Sequence, residues 1–396
     1  MLGALTHESF TLRNPLVSDD TKATMDALYA LGSDIRIDSH SVRIHCEGLR
    51  PSPGVIDARN SGTTIRLIAG IASLLPAKTT LTGDESLVRR PMGPLVDALV
   101  QLGARCAYLG RPGNPPLAVE GPIAGDRAEI PGGVSSQFVS SLLIACTQKR
   151  GPTELVVKGE LRSRPYVDIT LAMLRDFGGE VRESEGRFWV PGEQPLSRDS
   201  FTVPGDYSSA AFPLAAASIT GGDVVVRGLA KDSPQGDRAI VQHLETFGAK
   251  VSVDSGSVRV RGGDLRGAEI DVRHTPDLFP VLAVVGAVAP GRTVLTGGEN
   301  LREKESDRIS TTTALLRSMG AKVKPLPDGC EIEGGEKLRG ATIDTQGDHR
   351  ILMAAAVAAL AASSETMITD DSSFAVSYPG FVRDMLQLGC RIEVRR

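Results

Sequence analysis

A helix that ends in glycine and hands over to a short strand recurs six times along the chain, and no other feature constrains the fold as tightly. The glycines are Gly32, Gly103, Gly178, Gly248, Gly320 and Gly389, at intervals of 71, 75, 70, 72 and 69 residues. A glycine just past a helix supplies the left-handed residue that closes its last turn. The stretches that follow, such as AKVSV at 249–253 and CRIEV at 390–394, alternate as strands do. Earlier in the unit the sequence predicts a second helix, with a polar start and a small-residue body, at Asn60–Leu75, Ser135–Thr147, Asp206–Thr220, Thr275–Val288 and Asp348–Ala362. A strand rich in Thr and Val follows each of these helices, at 79–82, 154–157, 223–226, 293–296 and 366–369. A fixed period of this length means one supersecondary unit used repeatedly, here of α/β type. The first unit is expected to be incomplete: the sequence opens on MLGAL, which matches the late part of the second helix, and continues to a strand at Phe10–Leu12.

At 396 residues the chain suits two domains rather than one core. Its formal charge of −4 offers no general attraction to nucleic acid or to a membrane surface, so an anion site has to be built locally from clustered Arg and Lys. The longest apolar run, Ile351–Ala362, is too short to span a bilayer, and the N-terminus lacks the basic start and cleavage site of a signal peptide. Cys46, Cys106, Cys146, Cys330 and Cys390 lie far apart without a CxxC pair, and the six histidines show no metal-ligand spacing. A reduced, cytoplasmic, metal-free protein is expected.

Four segments gather charged and hydroxyl groups in glycine-rich surroundings. Residues 60–66 (NSGTTIR) open a helix, with Gly62 able to bring backbone close to a ligand. Ser135, Ser136 and Gln137 open another and offer donors suited to a phosphate or a polyol. Residues 302–308 (REKESDR) place Lys304 and Arg308 one helical turn apart with Glu305 beside them, and Asp348-His349-Arg350 starts the last long helix. Singly, each is a cap or a solvated face. At matching repeat positions, polar helix starts can converge on one anion, because helix N-termini attract negative charge.

The segments RNSGTT (59–64), RRPM (89–92), VSSQF (134–138), SRPYVDIT (163–170), GDYSSA (205–210), TPD (275–277), NLREKESDR (300–308) and DHR (348–350) resemble, in order, the successive signatures of the 5-enolpyruvylshikimate-3-phosphate synthase family. The resemblance implies an enolpyruvyl transferase fold: two domains, 1–203 and 204–396, each of three βαβαββ-type units, with the active site in the cleft between them. It implies transfer of the enolpyruvyl group of phosphoenolpyruvate to the 5-hydroxyl of 3-phosphoshikimate, by a monomer that needs no cofactor and no metal. Ser135, Ser136, Gln137, Ser163, Asn300 and Lys304 are then expected to hold 3-phosphoshikimate, with Asp277 binding and deprotonating its hydroxyl. Gly62, Arg90, Gln137, Arg308 and Arg350 are expected on phosphoenolpyruvate, and Glu305 as proton donor to its methylene carbon.

Two departures from the family pattern stand out. The ProxSerLysSer segment of the first unit, with its following Arg, is not in this sequence, and Val376 stands where many bacterial members have a Lys nearby. Each charge-assisted contact contributes about 1.5–3 kcal/mol, so weakened binding and catalysis are expected. The rival readings are a UDP-N-acetylglucosamine enolpyruvyl transferase, whose loop cysteine has no counterpart in residues 110–133, a non-catalytic ligand-binding relative, and an RNA 3′-phosphate cyclase, for which no basic stripe is present.

Overall fold

The structure is a computed structural model and describes residues 1–394. Two compact units form, Met1–Val203 and Pro204–Arg396. All six repeat glycines adopt positive φ, from +81° at Gly178 to +101° at Gly248, so each closes its helix as the left-handed cap. Gly248 is required twice over, since a Cβ there would lie 2.3 Å from the carbonyl oxygen of Asp264.

The first unit carries helices α1 (Asp19–Ala30), α2 (Gly62–Ala72), α3 (Gly93–Gln101), α4 (Ser136–Gln148) and α5 (Arg164–Asp176). Three four-stranded sheets share one strand order. A lead-in strand pairs in parallel with the strand after the buried helix, which pairs antiparallel with a return strand, which pairs with the strand after the glycine. One sheet runs Val55–Asp57, Thr79–Thr82, Leu117–Glu120, Arg105–Tyr108, and another runs Arg127–Pro131, Thr153–Lys158, Arg187–Val190, Arg182–Ser184. The remaining sheet starts from Ser200–Thr202, which pairs with Ser9–Arg13 in the register Thr11↔Ser200, followed by Ser41–His45 and Asp34–Ile37. A strand that precedes the fourth repeat in sequence thus closes the first repeat's sheet. Before Ser9–Arg13 the first unit has the short 3-10 turn Leu2–Ala4.

Helices α2 and α4 form the centre of this unit, burying Ile65, Ile68 and Ile71 against Phe138, Leu142 and Leu143. Each such side chain contributes about 1.5–3 kcal/mol by leaving water. The helices approach closely at Gly70, where a Cβ would lie 2.4 Å from Ser141 Oγ, and that hydroxyl donates to the Arg66 carbonyl at 2.7 Å.

The second unit carries α6 (Tyr207–Thr220), α7 (Ile240–Phe247), α8 (Phe279–Val288), α9 (Arg308–Ser318), α10 (His349–Ala359) and α11 (Phe381–Gln387). Helices α6, α8 and α10 pack on one another in every pairing. Their Ala- and Val-rich surfaces suit this burial, and α8 is enclosed from Phe279 to Ala287, as a helix that is apolar on all sides must be. Around them lie a three-stranded sheet (Asp223–Arg227, Ser257–Arg261, Lys250–Val253), a four-stranded sheet (Glu269–Asp271, Gly291–Thr296, Gly329–Gly334, Lys322–Leu326) and the parallel pair Thr342–Ile343 with Met367–Ile368. Among the described residues no helix is long and apolar enough to cross a membrane.

Three local expectations are corrected. Residues 390–394 join no ladder, because the antiparallel return strand that pairs with this position in the complete sheets is not present among the described residues. The helix expected from Thr275 begins at Phe279, after the 3-10 turn Pro276–Leu278, since Pro280 has no N–H to give the Pro276 carbonyl. Lys304 and Arg308 do not share a helix. Asp307 caps α9, its side chain accepting from Ser310 N at 3.1 Å, and Lys304 is extended at φ −86°, ψ −160°.

Candidate functional site

In the first unit the starts of α2 and α4 face each other. Ser61 caps α2, accepting from Thr64 N at 3.2 Å, and Ser135 caps α4, accepting from Gln137 N at 3.3 Å. Arg66, one turn into α2, joins the two by donating to Gln137 Oε1 at 2.7 Å and to Ser135 Oγ at 3.2 Å, while Gln137 Nε2 donates to Thr63 Oγ1 at 2.7 Å. Its guanidinium lies 5.0 Å from the centre of the Phe138 ring.

Arg90 reaches the same place from the loop before α3. It donates to Asn60 Oδ1 at 2.9 Å and to Ser86 Oγ at 3.3 Å, and Asn60 in turn donates to Asp84 Oδ2 at 2.6 Å. Asn114 fixes the backbone beneath it through the carbonyls of Arg89 and Arg90, at 2.8 and 3.0 Å. Gly62 sits where these side chains meet: a Cβ there would be 3.1 Å from Arg90 Nη1, 3.9 Å from Arg66 Nη1 and 4.0 Å from Gln137 Oε1.

Ser163 starts α5 in a left-handed conformation, φ +53°, and is buried, as is Ser136. The Arg162 N–H donates to the Gly132 carbonyl at 3.1 Å, which ties this turn to the segment leading into α4. Gly62, Arg90, Ser135, Ser136, Gln137 and Ser163 therefore lie on or beside two facing helix starts. Two cations, oriented N–H groups and several hydroxyls are groups whose chemistry suits a phosphorylated or polyhydroxylated anion.

In the second unit the organising group is Arg308. Only 1% exposed, its guanidinium donates to Asp277 Oδ1 at 2.7 Å, to Glu305 Oε2 at 2.7 Å and to both oxygens of Asp348, at 2.9 and 3.2 Å. Burial opposes its charge, and the three carboxylates outweigh burial to hold it protonated. Asp348 is the hub on the other side. Wholly buried, it caps α10 by accepting from Arg350 N at 3.0 Å and also accepts from Ser306 Oγ at 3.0 Å.

Asp277 meets three cations. Besides Arg308, Arg350 Nη2 lies 3.2 Å from its Oδ2 and Lys304 Nζ 3.7 Å from its Oδ1. Burial raises the cost of ionising Asp277, but Arg350, Lys304 and Arg308 together hold it well below the usual carboxylate range. Burial lowers His349 to about 4, so its imidazole is neutral at neutral pH. Asn300 stands in the 3-10 turn Glu299–Glu303, which Lys304 follows directly, and Val376 ends the turn Ser373–Val376.

Asp277, Lys304, Glu305, Arg308 and Arg350 thus form one cluster, in which a potential base and a potential acid lie on opposite arms of one guanidinium. Sequence reasoning named Asn60, Arg66 and Asp348 only within their helix-start segments, with no ligand role of their own, and did not name Asp84 or Asp237. Arg66 carried a usable signal, standing one turn after Gly62 on the same helix face. Asp237, in the turn Gly236–Ala239, carried none.

Residues 1–385 match the family described as EPSP synthase (3-phosphoshikimate 1-carboxyvinyltransferase). The chain is 45% identical over 399 residues to a 3-phosphoshikimate 1-carboxyvinyltransferase of Methanocella arvoryzae, covering 99% of this chain and 93% of that protein. It is 46% identical over 392 residues to one of Methanothrix thermoacetophila, covering 98% and 91%. The fold matches a solved EPSP synthase of Acinetobacter baumannii with a TM-score of 0.82 at 30% identity, over 100% of this chain and 94% of that one.

Proposed function

The chain belongs to the EPSP synthase family, and on that premise we infer that it transfers the enolpyruvyl group of phosphoenolpyruvate to the 5-hydroxyl of 3-phosphoshikimate, releasing phosphate, in the shikimate pathway to aromatic amino acids. Ser135, Ser136, Gln137, Ser163, Asn300 and Lys304 hold 3-phosphoshikimate. Gly62, Arg90, Gln137, Arg308 and Arg350 attract phosphoenolpyruvate. Because Arg308 is committed to three carboxylates, direct clamping falls first to Arg90 and Arg350, whose planar forks match phosphate and carboxylate.

The observation that carries the mechanism is that one guanidinium fixes Asp277 and Glu305, each at 2.7 Å. Asp277 takes the proton of the 5-hydroxyl as that oxygen bonds to C2 of phosphoenolpyruvate. Glu305 gives a proton to C3, so the double bond becomes a methyl group and a tetrahedral adduct results. Phosphate then leaves C2, taking up the proton that Asp277 had received, while a C3 proton returns to Glu305, restoring the double bond and both side chains. In the free protein Asp277 is a weak base because three cations surround it. An arriving phosphoenolpyruvate anion draws on Arg350, loosens that hold, and makes Asp277 more basic when the substrate is in place.

Glu305→Gln keeps the hydrogen bond to Arg308 and removes the transferable proton. Turnover is expected to fall by roughly 10²–10⁴ with 3-phosphoshikimate affinity retained by calorimetry. Undiminished turnover would remove Glu305 from the mechanism. The protein is further proposed to work as a cytoplasmic monomer: its five cysteines are free thiols, which suits a reducing compartment, and every residue assigned above comes from one chain.

A further inference from the structure

Asp237 is the one buried acid of the second unit that the mechanism above leaves unused. It lies in the 3-10 turn Gly236–Ala239, is 5% exposed, and has one oxygen paired and one not. Oδ2 accepts from Ser208 Oγ, and Oδ1 is buried with no hydrogen-bond partner. A buried carboxylate oxygen without a donor is costly when ionised and far less so in a neutral acid. The turn packs on α6, whose start brings Asp206 and Ser208, and on α7, which brings the half-buried His243 and the exposed Glu245. Arg238, on the turn itself, points its guanidinium at the Lys231 carbonyl. Two groups of the Arg308 cluster, Asp277 and Arg350, act on Asp237 electrostatically.

We propose that Asp237 is a positioning residue for anion binding: kept neutral, it leaves the positive charge of Arg350 available to phosphoenolpyruvate, and on ionising it competes for that charge. This deepens the transferase reading and rests on it. Burial, and then the negative charge of Asp277, push Asp237 up to about 7, with Asp206 adding to the shift and Arg350 and Ser208 opposing it. Its charge therefore changes near neutral pH. Ionised Asp237 adds one negative charge near the bound anion, so affinity for that anion falls as pH rises through this value. By linkage, anion binding favours the proton on Asp237.

The test is kcat/KM for phosphoenolpyruvate between pH 6 and 9, at saturating 3-phosphoshikimate, for the full chain and for Asp237→Asn. Asn has the shape of the neutral acid and still accepts from Ser208. Each profile is normalised to its own maximum, and ionisation of the substrate affects both proteins alike. The wild-type protein is expected to lose about tenfold between pH 7 and 9, the size expected of one nearby charge at an intermediate dielectric. Asp237→Asn is expected to lose less than about half as much on a logarithmic scale. Ser208→Ala, which removes a hydrogen bond that favours the ionised form, is expected to move the descending limb to higher pH and supplies a second reading if Asp237→Asn fails to fold. Superimposable normalised profiles for wild type and Asp237→Asn, or an unmoved limb in Ser208→Ala, overturn the proposal and leave the transferase assignment standing. Absence of phosphate release at every pH overturns both.

Discussion

Replacing Arg308 by Met removes the one buried cation that three carboxylates share. The side chain is 1% exposed and makes four hydrogen bonds, to Asp277, Glu305 and twice to Asp348, at 2.7 to 3.2 Å. Met fills most of the volume, so the loss is electrostatic rather than a cavity. Asp348, wholly buried, keeps only Ser306 Oγ and the Arg350 N–H among the partners named above. Breaking a buried pair by removing one partner costs about 3–5 kcal/mol, because the remaining charge is left uncompensated. For a unit of this size each kcal/mol moves Tm by about 2–4 °C, so a fall of roughly 6–20 °C is expected by calorimetry. Hydrogen exchange in residues 308–318 and 349–359 should report the same loss locally.

The pH dependence fixes the cause. Asp277 is held below its ordinary value, so its contribution to stability is present above the unfolded carboxylate range and is lost as pH falls through the folded value. In Arg308→Met that hold is weakened, and protonation relieves the stranded carboxylates. The stability gap between wild type and variant should therefore narrow from pH 7 to pH 4. Arg308→Lys, which keeps the charge but lacks the fork, should fall between the two. A loss below about 1 kcal/mol at pH 7, or a gap that widens in acid, would refute the reasoning.

Gly62→Ala should separate binding from stability: alanine is the better helix former, so Tm is expected to hold or rise slightly, while a methyl 3.1 Å from Arg90 Nη1 displaces the clamp and lowers kcat/KM for phosphoenolpyruvate roughly tenfold. Unchanged kcat/KM would take Gly62 out of the site. His349, lowered to about 4 by burial, binds fewer protons folded than unfolded between that value and about 6.5, so stability is lost as pH falls through this window. His349→Gln should remove up to about 3 kcal/mol of that acid dependence in urea titrations, and an unchanged slope would show that His349 charges without cost.

The repeat was legible because its marker is local. A glycine closing a helix needs only its own φ, and all six positions adopt the left-handed conformation. The pairing of Ser200–Thr202 with Ser9–Arg13 was not legible, because a parallel ladder between segments so far apart is decided by which sheet has an open edge. Likewise 390–394 alternates correctly, yet alternation alone does not supply a neighbouring strand. In the site, Lys304 and Arg308 were expected as helix neighbours, whereas Asp307 between them starts the helix and leaves Lys304 outside it; the Asp307 and Ser310 pair is a cap signal that the charge pattern obscured. Asp277 emerges amid the cations assigned to the substrates because the turn Pro276–Leu278 and the starts of α9 and α10 are brought together by packing of apolar helices. Asp237 shows the limit. Its significance lies in an oxygen with no donor and in charges from distant segments, neither of which has a pattern in one dimension.

The central claim is that this chain joins phosphoenolpyruvate to 3-phosphoshikimate with Asp277 as base. Phosphate release measured with the purified chain, with each substrate alone and with both, tests it most directly, with UDP-N-acetylglucosamine in place of 3-phosphoshikimate as the rival acceptor. Release is expected only when both phosphoenolpyruvate and 3-phosphoshikimate are present, and Asp277→Asn should lower it by at least about 10². Release that needs UDP-N-acetylglucosamine instead, or that survives Asp277→Asn undiminished, would contradict the account.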